Sequence, residues 1–233
     1  MADEGGDEEI KPGQSRERAV FFTDAVFAIA MTLLVIEIPR PDAANLGAGG
    51  VSKERAFASL WHFLVSERSS FYAYVLAFFM IWVVWRQHHA LMDQVTRVSG
   101  SIMGWQFPLL LLAAFLPYAT TILGHSAGNP LAALLYGLVV DGLLLSGTLI
   151  AVRADRGHVL RPGVDLVRYR SNITESWIVV GYWTLSLGLV WWTPWMQIPW
   201  YLTGAVAAAL TRVMNQRQVR QAAAQAEQAV ESQ

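Results

Sequence analysis

Arg18-Ala-Val-Phe-Phe-Thr-Asp24 leads straight into Ala25-Val-Phe-Ala-Ile-Ala-Met-Thr-Leu-Leu-Val-Ile36. Apart from Thr32 the second stretch is wholly apolar, the composition of a helix in hydrocarbon. An acidic residue inside the first turns of such a span is costly to bury and needs a reason. The rest of the chain agrees that this is a membrane segment. It is 54% hydrophobic and only 15% charged, against about 25% charged in soluble domains. No Asp, Glu, Lys or Arg occurs from Val98 to Val140, or from Ser176 to Thr211. Each gap exceeds the roughly 20 residues that one helix needs to cross a bilayer. The fold class is therefore an all-α polytopic membrane protein. The net charge of −1 says little about partners, because the two signs are separated along the chain. The absence of cysteine excludes disulfides, thiolate metal sites and cysteine catalysis.

Working outward, MADEGGDEEIKPGQS reads as a disordered acidic tail over 1–15. It has neither the basic start nor the apolar run of a cleavable signal peptide, so the first span is expected to act as its own insertion signal. That span is expected from Arg18 to Ile38, stopped by Pro39-Arg-Pro41. A Gly-rich loop, Asp42 to Gly50, precedes SKERAFASLWHFLVSERSS. Apolar residues there at 56, 57, 60, 61 and 64 share one helical face, which predicts an interfacial helix. The second span is expected from Phe71 to Trp85, ending in Trp85-Arg-Gln-His88-His89. The third runs from Ile102 to Leu123 and contains Pro108 and Pro117, which usually mark kinks in membrane helices. The fourth covers Leu131 to Val152 with Asp141 near its middle. A fifth, 173–192, and a sixth, 196–212, flank the turn Trp192-Thr-Pro-Trp195. About six transmembrane helices are thus expected in a membrane domain over 16–213. A polar tail over 214–233 can form a helix, with assembly as an alternative role.

Basic residues in short loops set the orientation. Arg86 and Arg97 flank the loop after the second span; Arg153, Arg156, Arg161, Arg168 and Arg170 crowd the loop after the fourth; Arg212, Arg217 and Arg220 follow the sixth. With six spans these share a side, which predicts cytoplasmic termini. Trp183, Trp191, Trp192, Trp195 and Trp200 suit an aromatic belt at the outer interface.

Three stretches, on consecutive spans and in order, resemble the transmembrane protein 175 potassium channel family. Arg18, Phe22, Thr23 and Asp24 are similar to its Phe-Ser-Asp signature, with threonine for serine. Tyr74 to His89 is similar to its aromatic second helix, which ends in a tryptophan and a histidine pair. Leu109 to Ile122 carries its Leu-Pro-aromatic step at Leu116-Pro-Tyr118. The resemblance covers about the first half of the chain and implies a potassium-permeable channel of the bacterial cytoplasmic membrane. Members with one signature per chain form homotetramers whose first helices line the pore, and this chain has one copy. Potassium would be the permeant ion, with no cofactor, resident metal or nucleic-acid partner. The family lacks a carbonyl filter loop, and no Thr-Val-Gly-Tyr-Gly-like run occurs here. The constriction it implies lies at Ile29, with Thr32 one turn outward.

Helical geometry extends that inference. Ala25, Ile29, Thr32 and Ile36 recur at i, i+4, i+7 and i+11 and share one stripe. Pore lining and ordinary packing against other helices both fit such a stripe. Asp24 lies about 100° away from it, so it is expected to bond to a neighbour rather than to ions. Arg18 is six positions from Asp24 and on another face. Arg18, Asp24, Trp85, His88 and His89 are expected to form a polar lock. Asp141 is either a functional carboxylate or a bond between helices, and Glu37 either gathers cations or is an interfacial charge.

Two other classes fit the residues less well. A membrane metalloenzyme could use His88 and His89, but adjacent helical residues diverge by about 100°. The five histidines are also scattered over both sides. A secondary transporter would be expected to show repeated hydrophobic segments, which the chain lacks. No catalytic residue is assigned, and no P-loop, nucleophile elbow or Rossmann pattern occurs.

Overall fold

The computed structural model describes residues 12–43, 46–47, 50–126, 128–192, 198–200, 202–203, 209 and 212. These form helices α1 (Pro12–Ile36), α2 (Lys53–Ser66), α3 (Arg68–Asp93), α4 (Gly100–His125), α5 (Pro130–Arg156) and α6 (Leu166–Leu187). One 3-10 turn, Val190–Trp192, follows α6. The only extended pairing among the described residues is a single antiparallel bridge between Val95 and Leu160.

The first amides of a helix have no partner within it, and short polar side chains supply one. Ser52 accepts from the Arg55 N–H at the start of α2, and Ser99 from that of Ile102 at the start of α4. Asn129 caps α5 with Pro130 in its first turn, and Asp165 accepts from Val167 and Arg168 to start α6.

Among the described residues, four segments are long and apolar enough to cross a membrane. They are Arg16–Ile36 within α1, α3, α4 and α5. Helix α1 begins at Pro12, inside the expected tail, and ends at Ile36 rather than Ile38. The proline at 39 disfavours helical geometry in the residue before it. Helix α3 continues past Trp85 to Asp93, so Trp85, His88 and His89 all lie on it rather than in a loop. Helix α6 starts earlier than residue 173 because Asp165 caps it there, and it ends at Leu187 before Gly188. The expected sixth span lies mostly outside the described residues. The tail segments 1–11 and 214–233 lie wholly outside them.

Helix α4 is the hub, packed against α1, α3 and α5, with α6 lying on α5. Its buried face is Ile102, Leu109, Ala113, Leu116, Ala119 and Leu123. Pro108 and Pro117 both sit inside one unbroken helix. Thr120 donates its hydroxyl to the carbonyl of Leu116 at 2.8 Å. Hydroxyls satisfied on their own helix need no water, which hydrocarbon cannot supply. Helix α2 buries none of its residues, leaving Phe57 and Trp61 exposed on its apolar face.

The tryptophans divide differently from the expected belt. Trp191 and Trp192 are exposed, whereas Trp183 and Trp200 are fully buried. Those two stack with ring centres 5.1 Å apart, and the Trp200 indole donates to Ser186 Oγ at 2.8 Å. Ser186 provides the hydrogen-bond partner that an interface would otherwise supply.

Small residues let membrane helices approach closely. At Gly124 of α4, an added Cβ would sit 2.9 Å from Ser70 Cα of α3. Backbone cannot yield as a flexible side chain can. Gly124→Ala is expected to destabilise the protein by about 1–3 kcal/mol, the usual cost of overpacking. Thermal unfolding in detergent reads this as a lowered midpoint, and an unchanged midpoint would mean that α3 and α4 are not in close contact.

Candidate functional site

Helix α1 has two opposed faces. Arg16, Thr23, Phe27, Ala30 and Leu34 fall within about 60° of one another on a helical wheel. Thr23, Phe27, Ala30 and Leu34 are buried, against α3 and α4. Arg18, Ala25, Ile29, Thr32 and Ile36 form a second stripe about 160° around the helix. All five are exposed, Ile29 at 58% and Ile36 at 56%. One subunit therefore covers only one side of this apolar helix. The stripe predicted for the pore is the side that it leaves open.

The polar groups of α1 are arranged to hold this rotation. The buried Thr23 hydroxyl donates to the Ala19 carbonyl at 2.8 Å, a bond that serine can make equally well. Asp24 lies between the two stripes and turns toward α3. The Trp85 indole N–H donates to Asp24 Oδ1 at 2.8 Å, and His89 Nδ1 lies 3.6 Å from Oδ2. The His89 ring also packs on Trp85, 5.4 Å between centres. His88 points elsewhere: it is buried beside Phe27, at 6.3 Å, and its ring nitrogens have no partner among the described residues. Phe22 is exposed at 64%. Arg18 makes no ion pair with the described residues.

A second anchor lies two positions before Arg18. Arg16 Nη1 donates to the carbonyls of Met92 and Val95, at 2.9 and 3.3 Å, where α3 ends. Sequence reasoning missed it. The signal was its spacing of seven from Thr23, which puts it on the buried stripe.

Comparison with known proteins places this arrangement. A family model described as "Endosomal/lysosomal potassium channel TMEM175" matches residues 18–117. A potassium channel of Streptomyces collinus is 32% identical over 160 residues, which span 66% of this chain and 72% of that protein. The chain belongs to the TMEM175 family. A potassium channel of Chamaesiphon minutus is also similar, 29% identical over 193 residues that span 73% of this chain and 91% of its own. The fold matches a crystal structure of a lysosomal potassium-selective channel TMEM175 homolog from Chamaesiphon minutus. The TM-score is 0.66 at 22% identity, over 86% of this chain and 98% of the other.

In this TMEM175 chain the remaining candidate residues are also tethered. Thr32 donates its hydroxyl to the Ile29 carbonyl at 2.8 Å. Glu37 accepts from the Thr121 hydroxyl of α4 at 2.7 Å, so it braces the far end of α1. Asp141 accepts from the Thr184 hydroxyl of α6 at 3.0 Å. That joins α5 to α6. Among the described residues, no three His, Cys, Asp or Glu side chains are grouped so as to hold a metal.

The Trp85–Asp24 bond is a hydrogen bond to a charged acceptor, worth about 1.5–3 kcal/mol. Trp85→Phe and Asp24→Asn should each lower stability. The double variant should lose less than the sum, by a coupling energy of about that size. Strict additivity in thermal unfolding would show that the two side chains act independently.

Proposed function

We propose that this protein is a potassium-permeable channel in which four copies set the exposed stripes of α1 around a common axis. The reading rests on one observation: Ala25, Ile29, Thr32 and Ile36 lie opposite the buried stripe and are uncovered within a subunit. Relatives at 32% and 29% identity are themselves potassium channels. One signature per chain requires several chains to enclose a path.

Each polar and apolar group on the stripe then has a task. Four Ile29 side chains make a narrow apolar neck, which excludes water when closed and conducts when it widens. Four Thr32 side chains lie one turn farther along. Because each hydroxyl proton is committed to the Ile29 carbonyl, the oxygen turns only lone pairs outward. Those lone pairs replace part of the water that a cation sheds. Potassium, larger than sodium, gives up that water more readily. Asp24, Trp85 and His89 are fasteners that fix the rotation of α1, and Arg18 faces the axis or a neighbouring subunit at the arginine-rich end. By the positive-inside rule that end faces the cytoplasm, in the cytoplasmic membrane of a bacterium.

Family membership argues against the metalloenzyme and carrier readings. The divergence of buried His88 from half-buried His89 removes the shared site that the enzyme reading needs.

Liposomes loaded with potassium and containing the purified protein test the proposal. Adding a proton carrier should release the gradient, and Ile29→Ala should speed the release severalfold. No flux from either protein would overturn the channel reading. Equal flux in the wild type, Ile29→Ala and Thr32→Ala would move the path away from α1.

A further inference from the structure

A patch rich in arginine lies among the described residues where α3 and α5 end. Arg97, Arg153, Arg156, Arg161 and Arg168 are all exposed there, and none makes an ion pair with the described residues. The acids nearby do not offset them. Asp155 is taken by Arg170, which donates to both its oxygens at 3.0 and 3.3 Å. Asp165 is occupied in capping α6. Asp93, at the end of α3, leaves the balance strongly positive.

These arginines stand on a bonded platform rather than on a slack loop. The bridge between Val95 and Leu160 joins the loop after α3 to the loop after α5. The Thr96 N–H and hydroxyl both donate to the Val159 carbonyl, at 2.8 and 2.9 Å, and the Arg161 N–H donates to Gln94 O at 2.8 Å. This pairing brings Arg97 beside the arginines of the other loop. On the far flank Tyr169 donates to the Ala151 carbonyl at 2.8 Å, tying α6 to α5. Burial, and then Asp155, push the Tyr169 phenol above its ordinary range, so it remains a donor. Orientation in a membrane requires only that such loops be basic. It does not require them to be locked together.

We infer that this platform binds the phosphate headgroups of anionic phospholipids in the leaflet where α3 and α5 end. The two helices bring the arginines to the headgroup layer, and guanidinium groups bind phosphate oxygens in pairs. Each basic residue held near an anionic leaflet is worth roughly a fivefold gain in affinity. The inference needs α3 and α5 to span the membrane but does not depend on ion conduction.

The test is native mass spectrometry of the full-length protein with added phosphatidylglycerol, phosphatidylcholine or inorganic phosphate. The wild type should retain phosphatidylglycerol well above phosphatidylcholine. The variant Arg153→Gln/Arg156→Gln/Arg161→Gln/Arg168→Gln should lose at least about tenfold of that retention. The milder pair Arg156→Gln/Arg161→Gln should lose a smaller part. Lys53→Gln/Arg55→Gln on α2, at the other end of the bundle, should lose none. Equal retention of the two lipids by the wild type would overturn the inference. So would unchanged retention in both loop variants, or displacement by an equal concentration of inorganic phosphate.

Discussion

Hydrocarbon offers no water to a polar group, and the architecture depends on the bonds that carboxylates of the bundle make to side chains of neighbouring helices. Asp24 takes the Trp85 indole, Asp141 takes the Thr184 hydroxyl, and Glu37 takes that of Thr121. Each of these bonds joins two helices, so each also fixes a rotation or a height. For α1 the consequence is decisive. Arg16 at one end, Asp24 near the middle and Glu37 just past the other end allow one orientation of the helix. In that orientation Phe27 and Leu34 face the subunit interior, and Ile29 and Thr32 face away.

The division of labour on α1 follows from the same constraint. As the pore-lining helix of the proposed channel, α1 must expose a surface to ions without losing its hold on its own subunit. Here the hold is apolar packing on one face, reinforced by polar bonds at the edge. The open face carries no titratable side chain between Arg18 and Ile36. Its one polar side chain beyond Arg18, Thr32, donates its hydroxyl to its own helix.

Much of this was legible in the sequence. Long charge-free runs locate α4 and the first part of α5, and helical spacing separates Asp24 from the Ile29 stripe. What hydropathy could not give is the register between helices. Arg16 and Arg18 look equivalent in composition, yet one reaches the end of α3 and the other faces outward, because they lie about 160° apart. Trp183 and Trp200 look like interfacial residues. Only the packing of α6 against its neighbours makes them a buried stack. Hydropathy closes the second span near Trp85 because polar residues begin at Arg86, whereas α3 runs on to Asp93.

The central claim is that the uncovered stripe of α1 lines the ion path. The chain contains no cysteine, so single cysteines can be placed along α1 without background. Potassium flux through liposomes should then be blocked by a water-soluble thiol reagent at positions 25, 29, 32 and 36, and left intact at 27, 30 and 34. Block at the second set, or at neither, would contradict the account.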